Sequence, residues 1–477
     1  MSSSLKTLRI GRLATLVIAV AMAPISARAM SDSETRAVAR EILAEMVAIR
    51  SVDGMGTTEG LVRAVAERFL AAGFPAEDVQ VLVGPRPDIG NLVVRLRGSP
   101  GEKKPILLLA HIDVVDALKS DWTLDPFVLN QVNGEFIGRG VADNKAGAAH
   151  LVTTLLRFKD EGFVPDRDLI MLLTGDEETN GDGIKWLITG LPELQEAEFA
   201  LNSDAGGGTT KGGAGYSYGL QTSEKMYLTF NFEVTNPGGH SSRPRRDNAI
   251  YSLSKALNRI ADYRFRAVFN ATTKGLFREL AKLERGQLAR HIRSLASARP
   301  SKRSIKELSK DPWYNAMIRT TCVATRLEAG HADNALPQSA RATVNCRIMP
   351  GLAAAEVEAT LNRIVADPQV SISRDNEPVP SDPSPLRADV MSAVKMAVEA
   401  RYPGIPILPT MSTGATDGLH VRNAGIPTYG VNGLFSNPRG ANAHGMNEHV
   451  KVEQFYAGLK HWDMILKALS SSRTTAD

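Results

Sequence analysis

Residues 105–113 read PILLLA followed by His111-Ile112-Asp113, a short apolar run that ends on two potential metal or proton-handling side chains. A run this short and this apolar is strand-like. Working outward, Asn91–Arg97 (NLVVRLR) has the same character. Asp168–Thr174 (DLIMLLT) is short enough for a buried strand, and the stretch from Lys145 to Phe158 between them is helical. Before these, Ser31 to Glu34 forms a capping box, and Val38, Ile42, Met46 and Ile49 recur at helical spacing. Strands alternating with helices imply an α/β domain whose mixed sheet is largely parallel and flanked by helices. The style returns late in the chain, with a helix over Arg387–Arg401, a strand over Thr428–Val431 and a helix over Val452–Leu469.

The middle of the chain has another texture. Met226–Val234 (MYLTFNFEV) alternates as a strand with one wet face does. A helix (Asn248–Tyr263), two strand-like runs (IRTTCVATR and ARATVNCRI), a second helix (Ala353–Ala366) and a strand (Gln369–Ser373) follow. This block reads as a smaller α+β unit inserted into the larger one, with the proline-rich Glu377–Pro385 as the return linker. The expected division is 30–223 and 377–477 for the large domain and 224–376 for the small one. Residues 274–310 carry 11 basic and 3 acidic residues above a helical stripe of Leu276, Leu280, Leu283, Leu288, Ile292 and Leu295, the pattern of a solvated helix face.

Composition bounds the function. The chain has 477 residues, 43% of them hydrophobic, enough for two or three domains. Its formal charge of +4 comes from Lys6, Arg9, Arg12 and Arg28, and the rest balances, which excludes a protein built mainly to hold nucleic acid. Those four cations flank an eleven-residue apolar run, Leu13–Ala23, and Ala27-Arg28-Ala29 is a small-x-small site. This is the layout of a secretory signal over residues 1–29 and is too short for a membrane span. A periplasmic or secreted protein with no stable membrane anchor is expected. The two cysteines, Cys322 and Cys346, are too few for a disulfide framework or a thiolate zinc site; pairing across strands and two buried thiols both remain open.

The chemistry-bearing residues follow the strands. After PILLLA come His111 and Asp113; after the glycine-rich GRGVAD, Asp143; after DLIMLLT, Glu177 and Glu178; after Phe199-Ala200-Leu201, Asp204; and far downstream, His444. Ligands in open α/β sheets gather at the carboxyl ends of strands, so residues distant in sequence can converge there. Two histidines and several carboxylates without cysteine suit zinc, with other first-row divalent ions able to replace it. Five ligands hold two ions if one carboxylate bridges them. Such a pair lowers the pKa of a shared water, and one of the two adjacent glutamates can remain free as its base. Asp113 is placed to fix the tautomer of His111. A serine-hydrolase motif, Gly215-Tyr216-Ser217-Tyr218-Gly219, lacks the strand before it and the helix after it that a nucleophile elbow requires.

The segments LLLAHIDVV, GRGVADNKAG, LLTGDEETNGDG, NSDAGGG, NPGGHSSRP, NALP, GATDG and AHGMNEHV together resemble the signature blocks of the dinuclear zinc metallopeptidases, the group of aminoacylase, succinyl-diaminopimelate desuccinylase, peptidase T and glutamate carboxypeptidase. The resemblance runs from about residue 34 to 470. It implies a catalytic domain interrupted by a ferredoxin-like lid or dimerisation domain. It also implies two Zn2+ per chain, with Co2+ or Mn2+ as substitutes. Asp143 matches the bridging carboxylate, His111 and Asp204 complete one metal site, and Glu178 and His444 complete the other. Glu177 matches the general base and Asp113 the orienter of His111. His240 matches a lid histidine that stabilises the oxyanion on closure, from the partner subunit in several dimeric members, so a homodimer through the lid is implied. Asn334 and Arg347 match lid positions that hold substrate. The implied activity is hydrolysis of a C–N amide bond in a short peptide or N-acyl amino acid. A ureido or carbamoyl amidohydrolase and a non-catalytic metal- or ligand-binding protein of the same fold are the alternatives. Asp204 departs from the Glu usual in aminoacylase and the carboxypeptidase-like members, which leans the resemblance toward aminopeptidases and dipeptidases.

Overall fold

The computed structural model describes residues 29–380, 382–437 and 440–471, so the leader read at residues 1–29 lies, but for Ala29, outside the described residues. The first helix, Asp32–Ala48, begins at Ser31 with the capping box read from sequence, and the Glu34 carboxylate accepts the Ser31 backbone N–H at 2.7 Å. Its Ile42, Leu43 and Met46 face the large core.

Ten strands make the large sheet. At its centre Leu169–Thr174, Ile106–His111, Phe199–Asn202 and Thr428–Gly430 run parallel, and Gly90–Leu96 and Val79–Val83 extend one side antiparallel. The other side continues through Ala214–Glu224, Gly207–Lys211 and Phe435–Ser436, with Ile407–Ser412 pairing Ala214–Glu224 in parallel. Central strands buried on both faces must be apolar at every position, which is why PILLLA and DLIMLLT show no alternation. Leu108 and Ala110 face a layer containing helices Asp32–Ala48, Lys145–Asp160 and Val452–Ser470. Leu107 and Leu109 face the opposite layer, with Ile184, Leu187 and Val421. The parallel register pairs His111 with Thr174 and Leu109 with Asn202, so the central strands end on a common rim.

The smaller sheet has four antiparallel strands in the order Thr321–Ala329, Ser339–Ile348, Met226–Thr235, Val370–Arg374. Helices Ala249–Asp262 and Ala354–Val365 supply Leu253, Ala256, Val357 and Leu361 to a core with Leu228, Phe230, Phe232 and Val344. The chain order strand–helix–strand–strand–helix–strand, with the first and third strands central, is the ferredoxin-like arrangement. Alternation is visible here because one face of this sheet packs on helices and the other does not. Cys322 stands directly opposite Cys346, and the two form a disulfide.

The basic stretch is not one stripe. Helices Ala271–Leu283, Gly286–Ala296, Lys302–Leu308 and Pro312–Ile318 fold on themselves, burying Leu276, Leu280, Ile292 and Leu295 while Leu288 stays exposed. Their core is continuous with Leu408 and Met411 of the large sheet, so they seat against strand Ile407–Ser412. At the contact, a Cβ on Gly275 would come within 3.1 Å of Pro409 Cγ. Ser217 of the G-x-S-x-G segment is buried inside strand Ala214–Glu224 and is no nucleophile elbow. Among the described residues no helix is long and apolar enough to cross a membrane.

Candidate metal centre and its cleft

The five candidate metal ligands and Glu177 gather at the rim where the parallel strands end. His111 is the last residue of its strand; Glu177 and Glu178 follow Leu169–Thr174, and Asp204 follows Phe199–Asn202. Asp143 precedes helix Lys145–Asp160, and the Asp143–Asn144 peptide is cis. His444 lies in the loop before strand His449–Lys451 with φ of 62°, a left-handed conformation uncommon outside glycine, of the kind that surrounding structure must hold in place.

Asp143 joins the two histidines. Its Oδ1 is 3.0 Å from His111 Nε2 and its Oδ2 is 3.1 Å from His444 Nε2. His444 Nε2 is 2.9 Å from Glu178 Oε2. On the other flank, His111 Nε2 is 3.5 Å from Asp204 Oδ1 and 3.9 Å from Glu177 Oε2. Ligand atoms of His111, Asp143 and Glu178 lie within 4.8 Å of one another, as do those of His111, Glu177 and Asp204. His111 Nδ1 faces away, 3.1 Å from the Asp113 carbonyl oxygen and 3.4 Å from Asp113 Oδ1. The same buried carboxylate accepts the backbone N–H groups of Glu177 at 3.1 Å and Glu178 at 2.9 Å. Asp113 therefore orients the histidine and both glutamates at once.

The charges conflict unless cations are present. Burial pushes the carboxyl of Asp204 up to about 7, against the pull of His111. Burial, then Asp204 close by, lifts Glu177 well above its usual range. Burial would lower His111, but Asp204, Asp113 and Asp143 hold it well above its ordinary value. His444 is pushed up to about 10 by hydrogen bonds to Asp143 and Glu178. Carboxyls that must keep protons and imidazoles that must gain them are what a site built for positive ions shows without them. Imidazole and carboxylate donors without thiolate fit zinc, cobalt or manganese.

Sequence reasoning missed the scaffold behind these ligands. The buried Glu448 accepts backbone N–H groups from Ala142 at 2.7 Å, Asp143 at 3.0 Å and Gly140 at 3.1 Å, and the Arg139 guanidinium at 2.7 Å. Thr416 Oγ1 donates to Glu224 at 2.6 Å and accepts from Asn202 Nδ2 at 3.0 Å, while Asn202 Oδ1 accepts the Asp204 N–H at 3.1 Å. Asp417, hydrogen-bonded by Thr174 Oγ1 and buried, is raised to about 8 by that burial. Glu448 and Asp417 stand in AHGMNEHV and GATDG, but nothing in one sequence separates a scaffold carboxylate from a surface one.

A cleft of about 860 Å3 opens over the cluster, lined by Asp143, Glu177, Glu178, Asp204 and His444 on one side and by Tyr227, Thr229 and Arg347 of the smaller sheet on the other. Arg347 stacks 4.6 Å from the Tyr227 ring centroid and donates through Nε to Asn345 Oδ1 at 3.3 Å. His240 and Asn334 are not in this cleft. They are exposed on a two-stranded ribbon, Gly239–His240 with Ala335–Leu336, where the Asn334 carbonyl accepts the Ser241 N–H at 3.0 Å. His240 Nδ1 lies 2.8 Å from Ser242 Oγ.

A mixed α/β sheet with an inserted ferredoxin-like unit and a carboxylate–histidine cluster on the strand rim defines the class of metal-dependent hydrolases. The chain belongs to the peptidase family M20/M25/M40, whose model matches residues 107–468. It is 30% identical over 380 residues to the mouse (Mus musculus) N-fatty-acyl-amino acid synthase/hydrolase PM20D1, covering 76% of this chain and 74% of that protein. In structure it is similar to the di-peptidase Dug1p of Saccharomyces cerevisiae, with TM-score 0.69, 17% identity, and 93% of this chain and 98% of that one covered. It also resembles an M20 metallo-carboxypeptidase of Sulfolobus solfataricus, with TM-score 0.67, 19% identity, and 90% and 99% covered. The protein is thus a metallopeptidase-type hydrolase.

Proposed function

We propose that this protein hydrolyses the C–N amide bond of N-acyl amino acids or short peptides that carry a free carboxylate. The observation that carries the reading is the unbroken chain of contacts His111–Asp143–His444–Glu178, with Asp204 on the far flank of His111 and Glu177 beside it. The N-fatty-acyl-amino acid in the mouse relative's name supports the N-acyl amino acid, and the names of the yeast and Sulfolobus proteins support the peptide.

In this reading His111 and Asp204 would hold one zinc ion and Glu178 and His444 the other, with Asp143 shared between them. When bound, the pair would supply Lewis-acid polarisation and a lowered pKa for water. Glu177 takes a proton from the attacking water and delivers it to the leaving nitrogen, so the products are a carboxylic acid and an amine. Asp113 fixes the His111 ring and the Glu177 and Glu178 backbone, leaving little to reorganise. Arg347 receives the substrate carboxylate, and its fork geometry favours a bidentate contact.

His240 and Asn334 complete the site in a second step. We assign residues 224–376 as a lid that brings them over the cleft by closure or from a partner subunit, where His240 donates to the developing oxyanion. The exposed residues Val323–Ala329 of edge strand Thr321–Ala329 leave that sheet open to a homodimer contact. The Cys322–Cys346 disulfide supports removal of residues 1–29 and residence in an oxidising compartment, periplasmic or secreted. Elemental analysis of gently purified protein is expected to find close to two zinc ions per chain, and a panel of dipeptides, N-acyl amino acids and ureido compounds to show turnover of the first two classes. Full activity with less than one ion per chain, or cleavage confined to ureido compounds, would overturn the reading.

A further inference from the structure

Glu224 ends strand Ala214–Glu224, and the chain enters the smaller sheet at Met226. Its side chain is fully buried, and donors converge on the carboxylate. Oε1 accepts the Thr416 hydroxyl at 2.6 Å and the Gln221 amide, and lies 2.7 Å from Arg422 Nη2. Oε2 accepts the Thr416 backbone N–H at 3.2 Å. A carboxylate surrounded in this way acts only as an acceptor. It stands behind the cleft, which Thr416 lines.

The direction of each hydrogen bond that follows is thereby fixed. A hydroxyl has a single proton. Thr416 directs its proton to Glu224, so toward other neighbours its oxygen can only accept. It accepts from the Gly418 N–H at 3.1 Å and from Asn202 Nδ2 at 3.0 Å. Asn202, itself buried, must therefore present its amide nitrogen to Thr416, and its Oδ1 is left to accept the Asp204 N–H at 3.1 Å. Turning that amide over would set oxygen against the lone pairs of Thr416 and nitrogen against the N–H of Asp204, leaving buried hydrogen bonds unmade. The residues before Asp204 are tied to neighbouring strands. The Ser203 N–H donates to the Leu109 carbonyl at 2.9 Å, and the Asn202 carbonyl accepts the Val431 N–H at 2.7 Å. Asp204 lies past that ladder, and its N–H is held by a side chain.

We propose that Glu224 is a positioning residue for the metal centre: through the one-way relay Glu224–Thr416–Asn202 it fixes the backbone of Asp204, and with it the carboxylate assigned to one of the two ions. The inference rests on the proposed metal-dependent hydrolysis. Glu224 touches neither ion nor substrate in it. Its contribution is the polarity of the relay, which side chains of the same shape and opposite hydrogen-bonding sense can reverse.

The test reverses the relay. Asn202→Asp sets a second acceptor against Thr416, whose proton is already directed to Glu224. Zinc affinity in a chelator competition should fall about tenfold or more. The added negative charge alone would tighten zinc, so unchanged or tighter binding overturns the proposal. Adding Glu224→Gln gives Thr416 a donor and lets its hydroxyl turn to the new carboxylate at 202, with the wild-type net charge restored. The double variant should bind zinc within about threefold of wild type, and its kcat should recover with it while KM stays nearly constant throughout. A double variant weaker than Asn202→Asp alone would mean that Glu224 only fills space, and the relay falls. If wild-type protein binds no zinc, the functional reading fails by itself, and urea melts of the metal-free proteins decide the relay. There the midpoint should drop in Asn202→Asp and return in the double variant, and additive losses sink it. Should Asn202→Asp fail to fold, Thr416→Val, which removes the hydroxyl, should weaken zinc about tenfold or more while Thr416→Ser, which keeps it, should not. Equal affinity in those two variants would also overturn the proposal.

Discussion

The strand rim and the two-stranded ribbon each carry a histidine that the proposed function uses, yet the fold treats them differently. His111 is wholly buried, and its ring is fixed on both nitrogens by Asp143, Asp113 and Asp204. His240 stands exposed on a ribbon two residues wide, with Ser242 as its neighbour. The first is set by the register of a ten-stranded sheet, the second by a short pairing outside either core. Groups that hold ions need fixed geometry, and groups that must admit substrate and then cover it need freedom to move. In the proposed function, rigidity falls to the large sheet and reach to the ribbon.

The largest test of that division is Glu177→Gln, which keeps shape and removes the base. Turnover is expected to fall about a thousandfold or more while zinc content stays at the wild-type value. Intact hydrolysis would remove Glu177 from the mechanism. Next comes His240→Ala, expected to lower kcat about a hundred- to a thousandfold without loss of bound metal. Mixing and refolding it with Glu177→Gln separates the routes to closure. Recovered activity means that the histidine is supplied by the partner, and none means closure within one chain.

Acid should then distinguish the two domains. His150 and His461, buried in the helical layer of the large domain, are lowered by burial to about 4 and about 3. The unfolded chain binds their protons at about pH 6.5 and the folded chain does not. Their contribution is complete above pH 6.5 and is lost as pH falls toward the folded values, roughly 2–3 kcal/mol each by pH 4.5. His420, lowered by burial to about 4, adds a third such contribution, so denaturant melts should show the loss in wild-type protein and about two-thirds of it in His461→Asn. Equal pH dependence in both would refute the assignment. Among the described residues no histidine lies in the core of the smaller sheet, so this acid sensitivity belongs to the elements around the large sheet. The smallest effect expected is Glu448→Gln, which weakens the hold on the Gly140–Asp143 backbone. Zinc affinity should drop ten- to a hundredfold in a chelator competition, and unchanged affinity would mean that the loop stands without it.

Much of this arrangement was legible in the chain. PILLLA and DLIMLLT announce central strands because burial on two faces leaves no position for a polar side chain. His111, Glu177, Glu178 and Asp204 are legible as candidates because each follows such a run, whereas Asp143 and His444 follow glycine-rich stretches. The alternation of MYLTFNFEV separates the smaller sheet for the opposite reason, one face being free of helices. The basic stretch was harder. Its leucines read as one stripe, but Glu284 to Gly286 breaks the helix, and the pieces pack on Leu408 and Met411, more than a hundred residues later. Glu448 was illegible as a scaffold because its partners are backbone N–H groups, which carry no sequence signature.

Residue types and their order determined the donor set, the two textures and the strands that would carry the chemistry, since hydrophobic periodicity and ligand preference are local properties. Only the tertiary structure decided that Asp143 would stand between two histidines, that Cys322 would meet Cys346, and that Arg347 would line the cleft while His240 would not. Those outcomes depend on strand register and on which surfaces pack, quantities fixed by contacts between residues far apart in the chain.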